Sequence, residues 1–228
     1  MIGTSIFPAA DAAEWTPDAL AGAAYWFDAR RAETVSRAAG GTVTGWREGV
    51  SAATALEQAN PAYRPDWSTG AIAFTTDDLL SGPDPVGAGS PFTLAVRLTG
   101  SPGQAWTNPL SFGQTGLKLT QTSLDQWRIY THAGGLQDAD YGAVDAERRF
   151  VFSSAASWSF VMRDAVIIRD EPASGGGLLS DGVLTVGART PEPVSGWAGA
   201  IVAIALLPRA VAQAEALFID RWLRGDTI

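Results

Sequence analysis

The chain has 228 residues, a formal net charge of −8, a pI near 4.6 and no cysteine. That charge opposes phosphate backbones and anionic membranes, so nucleic acid and membrane insertion are poor partners. The lack of thiols excludes a disulfide scaffold, a thiolate nucleophile and sulfur-held zinc, while 46% hydrophobic residues, with nine Trp and nine Phe, provide for a large folded core.

Taken in chain order, residues 1–22 show neither a basic leader nor a continuous apolar run, so no secretory signal is expected and synthesis in the cytoplasm is the expectation. This stretch reads as an extension that docks or packs, ahead of one domain over 23–228 with no linker to divide it. Short apolar or alternating segments then predict strands near 24–28, 42–47, 71–74, 92–98, 110–112, 117–121, 126–131, 149–153, 157–163, 165–169, 184–187 and 198–207. Turn signals separate most of them, among them Gly40-Gly41, Gly82-Pro83, Ser101-Pro102-Gly103 and Gly134-Gly135.

The run from Trp197 to Leu207 is almost wholly apolar but is stopped by Pro208, far short of the roughly 20 residues of a membrane span, and reads as a buried strand. After it, Val211, Ala214, Phe218 and Trp222 recur at helical spacing, with Gln213, Glu215, Asp220 and Arg221 largely between them and Gly225 as a stop. The expected fold class is all-β: an antiparallel two-sheet jelly-roll sandwich closed by a short C-terminal helix.

Four motifs carry a resemblance. Trp26, Asp28 and Ala29 form W-x-D-A; Gly41, Val43 and Trp46 form G-x-V-x-x-W; Arg64 and Pro65 precede a strand ending in Phe74; Gly199, Ile201 and Ile204 form G-x-I-x-x-I before the helix. In this succession the chain resembles the laminin-G-like, concanavalin A-type lectin jelly roll over nearly its whole length. The resemblance implies a structural framework on which some members bind sugars or one Ca²⁺, and it specifies fold better than function.

Catalytic patterns are absent from the sequence. No glutamate is followed by aspartate two residues on, so the paired-acid strand of jelly-roll glycosidases is missing. His132 is the sole histidine, and no G-x-S-x-G elbow accompanies it. The expectation is therefore a non-catalytic module.

Sugar recognition needs aromatic faces and a few planar polar groups. If Trp127 and Ile129 are core, then Arg128, Tyr130 and His132 face outward together, near Tyr141, and Trp106 lies in a neighbouring loop. These five are the expected carbohydrate-binding residues. No cofactor is expected beyond a possible Ca²⁺, for which Asp138 and Asp140 in a Gly-rich loop are the expected ligands; Asp77-Asp78 is a second acidic pair.

The function that follows is attachment to cell-surface polysaccharide by a homo-oligomeric component of a virion or phage-like particle, such as a tailed phage or gene transfer agent. Two alternatives stand beside it. One is a decoration protein that makes only protein contacts with other particle components. The other is a glycan-degrading enzyme using Asp138, Asp140 and Glu147.

Overall fold

The computed structural model describes residues 25–49, 54–89, 91–104, 106–114, 116–123, 126–130, 143–155, 158–172, 180–188 and 196–226. In chain order its strands are β1 (Tyr25–Asp28), β2 (Val35–Arg37), β3 (Val43–Arg47), β4 (Ala55–Glu57), β5 (Asp66–Ser68), β6 (Ala71–Phe74), β7 (Leu80–Pro83), β8 (Phe92–Gly100), β9 (Thr107–Phe112), β10 (Lys118–Gln121), β11 (Trp127–Tyr130), β12 (Arg148–Ser154), β13 (Ser159–Arg163), β14 (Val166–Glu171), β15 (Val183–Val186) and β16 (Gly199–Leu207), followed by the helix α1 (Gln213–Arg224).

Two antiparallel sheets of eight strands each form the sandwich. One runs β14-β13-β12-β8-β16-β6-β5, with β1 also on β16; the other runs β11-β10-β9-β15-β7-β4-β3-β2. The long strand β16 is central. It pairs with β8 along one side, while β6 and β1 lie end to end along the other, at 199–201 and 203–206 respectively.

The centre of the first sheet, β8, β12 and β16, is buried on both faces, and its sequence shows it. In β8, Phe92, Leu94, Val96 and Leu98 point between the sheets, whereas Ala95 belongs to a second cluster beneath α1. In β12, Phe150 and Phe152 enter the inter-sheet core and Val151 turns to the helix side. Alternation is therefore apolar on both faces, which accounts for the unbroken apolar run in β16.

One detail of that run departs from period two. Ile201 and Ile204, three residues apart, both enter the inter-sheet core because the register shifts between Ile201 and Ala203. A bulge absorbs the extra residue. The I-x-x-I spacing is thus the signature of an irregular strand, and Ala203, Ala205 and Leu207 are returned to the helix side.

The helix forms as expected, with its apolar stripe rotated from the expected one. Ala214 is exposed and Phe218 half-buried, whereas Ala216, Ile219, Asp220, Trp222 and Leu223 are buried. Asp220, which the sequence puts among the solvent-facing residues, sits in this interface because Arg149 Nε donates to its Oδ1 at 3.0 Å and the Ala165 amide donates at 3.2 Å. Gly225 ends the helix at φ 89, its N–H reaching the carbonyls of Arg221 and Trp222, and Asp226 N–H also reaches Arg221.

Both arms of the W-x-D-A segment are structural. Trp26 meets Trp222 edge-on at 6.0 Å on the helix side, and Phe27 meets Trp46 at 5.5 Å in the core. Trp46 is fully buried, as is Trp197 at the head of the run expected to be a buried strand. The strands expected near 157–163 and 165–169 form the β13–β14 hairpin, which turns through Asp164 and Ala165, both at positive φ.

Candidate functional site

The clearest surface feature of the helix-free sheet lies at the start of β9. Trp106 precedes that strand, is 50% exposed, and holds a positive φ of 58. Arg128, from β11, places its guanidinium carbon 6.0 Å from the centroid of the Trp106 ring. Two of the five expected residues are therefore brought together.

The reason Arg128 faces outward is the burial of its neighbours. Trp127 and Ile129 fill the inter-sheet core at 0% and 1% exposure, and period two sends Arg128 to the other face. There it sits opposite Thr120 in the β10–β11 register. Thr120 Oγ1 in turn donates to Asn108 Oδ1 at 2.8 Å, so Asn108, Thr120 and Arg128 make a polar row across three strands.

Two side-chain amides, one half-buried and one buried, hold the approach to Trp106. Gln104 receives the Ala198 N–H at 2.7 Å on Oε1 and donates Nε2 to the carbonyls of Ala198 and Ser101, at 2.8 and 3.0 Å. Gln121, fully buried, accepts from Trp197 Nε1 at 3.1 Å and donates to Ser101 O at 2.7 Å. The 101–104 turn is thus tied to both sheets just before Trp106. The sequence reading did not single out either glutamine, since neither stands in a motif.

Tyr130 ends β11 opposite Lys118. His132, Asp138, Asp140 and Tyr141 lie outside the described residues, so the expected Ca²⁺ ligands do too. Among the described residues no group of three or more His, Asp or Glu is placed to hold a metal. Asp78, of the other acidic pair, closes its own turn instead: its Oδ2 accepts from the Thr75 amide at 2.6 Å and from the Thr75 hydroxyl at 2.8 Å. Glu147 pairs with Arg97 at 2.9 Å.

No protein-family model and no curated protein matches the sequence. Solved structures match in fold. Trypanosoma rangeli sialidase in complex with sialic acid superposes with a TM-score of 0.62 at 13% identity, over 89% of this chain and 33% of that one. Domain 4 of AbnA, a GH43 extracellular arabinanase from Geobacillus stearothermophilus, in complex with arabinotriose, gives 0.58 at 11% identity, over 86% of this chain and 97% of the domain. The binding domain of botulinum neurotoxin serotype G gives 0.63 at 6% identity, over 89% and 51%.

The chain spans about a third of the length of the sialidases it matches. These likenesses, all at low identity, show the β-sandwich fold.

Proposed function

We propose that the chain is a non-catalytic carbohydrate-binding module whose primary contact is Trp106 backed by Arg128. The carrying observation is this pair, a half-exposed indole and its neighbouring guanidinium, while the buried Asn108–Thr120 hydrogen bond ties together the strands beside them. An indole face accepts the apolar face of a sugar ring, and planar polar groups read its hydroxyls. The arabinanase domain, which matches along 97% of its own length and was solved with arabinotriose, supports the same use of this sandwich.

Catalysis is not part of the proposal. Glu147, the member of the expected acidic trio within the described residues, is engaged by Arg97. The finer setting is display of several copies on a phage-like particle that meets cell-surface polysaccharide, where multivalency offsets weak single-site affinity.

The test is retention of the purified chain on immobilised polysaccharides, arabinan included, before and after periodate oxidation of the glycan. Retention lost on oxidation, with no sugar product released, supports the reading; release of reducing ends or unsaturated products overturns it. Trp106→Ala weakens retention at least tenfold, about 1.4 kcal/mol, while changing stability by no more than about 0.5 kcal/mol, as for other exposed substitutions.

A further inference from the structure

A second exposed indole lies at the edge of the helix-covered sheet. Trp158, 45% exposed, immediately precedes β13 and lines a cavity of about 170 Å³ where the β12–β13 hairpin meets the start of α1. Ser153, Phe160, Val211 and Gln213 form other parts of its wall. Among the described residues five tryptophans are buried in the core, Trp26, Trp46, Trp127 and Trp197 at 0–1% exposure and Trp222 at 6%. Packing therefore does not consume the Trp158 ring as it does theirs.

The ring is nevertheless held. Its Nε1–H donates to Asp170 Oδ1 on β14, and Gln213 Nε2 donates to Asp170 Oδ2 at 2.8 Å. Ser153 fixes the floor, its Oγ accepting the Val211 N–H at 2.9 Å and donating to the Val211 carbonyl at 3.2 Å. A hairpin, an edge strand and a helix start thus converge on one indole, and they leave acceptor capacity on the Asp170 carboxylate and on Gln213 Oε1.

The charges select the kind of ligand. The Asp170 carboxylate repels anions. The start of α1 offers no net charge to match a cation, because its partial positive end, uncapped by Ala212, is met by Glu215 of the first turn, which Arg209 pairs at 2.9 Å. The Asp170 oxygens already accept from the neutral donors of Trp158 and Gln213. A neutral ligand with one apolar face and several hydroxyls satisfies both. The cavity is smaller than the ~300–1,000 Å³ of drug-sized sites, so it suits one ring of a longer molecule.

We propose that Trp158, Asp170 and Gln213 form a second saccharide site, on the opposite sheet from Trp106, that takes a single neutral sugar ring. Its ligand class rests on the glycan-binding reading above; its position does not. Two sites on different sheets make each copy of the chain bivalent toward a polysaccharide.

The test is a ¹H–¹⁵N NMR titration of the tryptophan indole signals of the full chain with arabinotriose, glucose, galactose, mannose and N-acetylglucosamine, and separately with sialic acid. Trp158→Phe and Trp106→Phe assign the two signals. The expected result is a saturable shift of the Trp158 signal by at least one neutral sugar, retained in Trp106→Ala, weakened at least tenfold in Gln213→Ala, and not produced by sialic acid.

Response at Trp106 with none at Trp158 overturns the second site and leaves the glycan-binding reading intact. Response at Trp158 with none at Trp106 supports the second site and overturns the assignment of the first. Silence of both signals toward every sugar overturns both proposals. A Trp158 shift driven by sialic acid but by no neutral sugar also overturns the second site as drawn, because the charge argument then fails.

Discussion

Asp28 holds Arg30, two residues along, through two parallel bonds, Nε to Oδ1 and Nη2 to Oδ2, both at 2.8 Å. With that fork fixed, the remaining Nη1 donates to the Trp222 carbonyl at 3.0 Å at the end of α1. Arg97 does the same for Leu223 and Arg224, at 3.1 and 3.0 Å. The carboxylate of the W-x-D-A segment thus orients a cation toward the negative end of the helix and satisfies carbonyls that the helix itself cannot.

Removing Asp28 therefore costs more than one ion pair. Asp28→Ala is expected to lower stability by about 2–3 kcal/mol, below the range for fully buried pairs because Arg30 keeps some contact with water. Arg30→Lys retains charge and loses the fork, at about 1–2 kcal/mol. Urea unfolding midpoints at unchanged m-value check both.

Asp220 offers a sharper case. Its carboxylate is 2% exposed and its partner Arg149 15%. Asp220→Ala leaves that guanidinium to the longer Asp164 contact at 3.6 Å and takes the acceptor from the Ala165 amide, for a loss of about 2–3 kcal/mol, below the range for a charge left wholly uncompensated. Asp220→Asn, which keeps an acceptor, loses less. Thermal unfolding of the two variants side by side gives the comparison.

Gly199 has no room for a side chain. A Cβ there would stand 2.2 Å from the Trp197 ring and 2.4 Å from the Thr99 carbonyl oxygen, across the β16–β8 pairing. Gly199→Ala is expected to cost about 1–3 kcal/mol as an overpacked site. A change in Trp197 fluorescence that tracks the shift in midpoint checks the cause.

Asp78 carries a pH dependence. Burial raises its carboxyl above the ordinary 3.8, and the Thr75 amide and hydroxyl offset this only in part. The folded chain then keeps a proton that the unfolded chain has released, so stability contributed by this group falls as pH rises from about 3.8 through the folded value. Asp78→Asn removes the titration. The difference in stability between variant and parent shifts toward the variant between pH 4 and pH 7, measurable by denaturant melts at the two pH values.

Much of the frame was legible because it rests on local pattern. The alternation in β8 and β12, the apolar length of β16 and the Gly225 stop each follow from residues within one element. Strands β2, β4, β5 and β7 did not show, because three or four residues carry too little alternation and these strands are defined by the neighbours they pair with. Asp220 reads as solvent-facing on a helical pattern, and only Arg149, 71 residues away, reverses that.

The outward face of Arg128 was readable from Trp127 and Ile129, and the exposed Trp106 from its loop of small and polar residues. Trp158, Asp170 and Gln213 were not, since 12 and 43 residues separate the members that bond. No spacing rule links a hairpin tip, an edge strand and a helix start. His132, Asp138, Asp140 and Tyr141 fall outside the described residues.

The position of β16 bears on how the molecule is made. Its hydrogen-bonding partners β1, β6 and β8 all precede it, yet none of them can complete the sheet until this strand arrives. A nascent chain on the ribosome therefore presents three waiting edges for as long as residues 199–207 are unsynthesised, and its pairings are long-range and slow to close. Stalled or truncated translation products of this protein should be strong clients of chaperones, whereas the finished chain, once β16 docks and α1 covers it, should not.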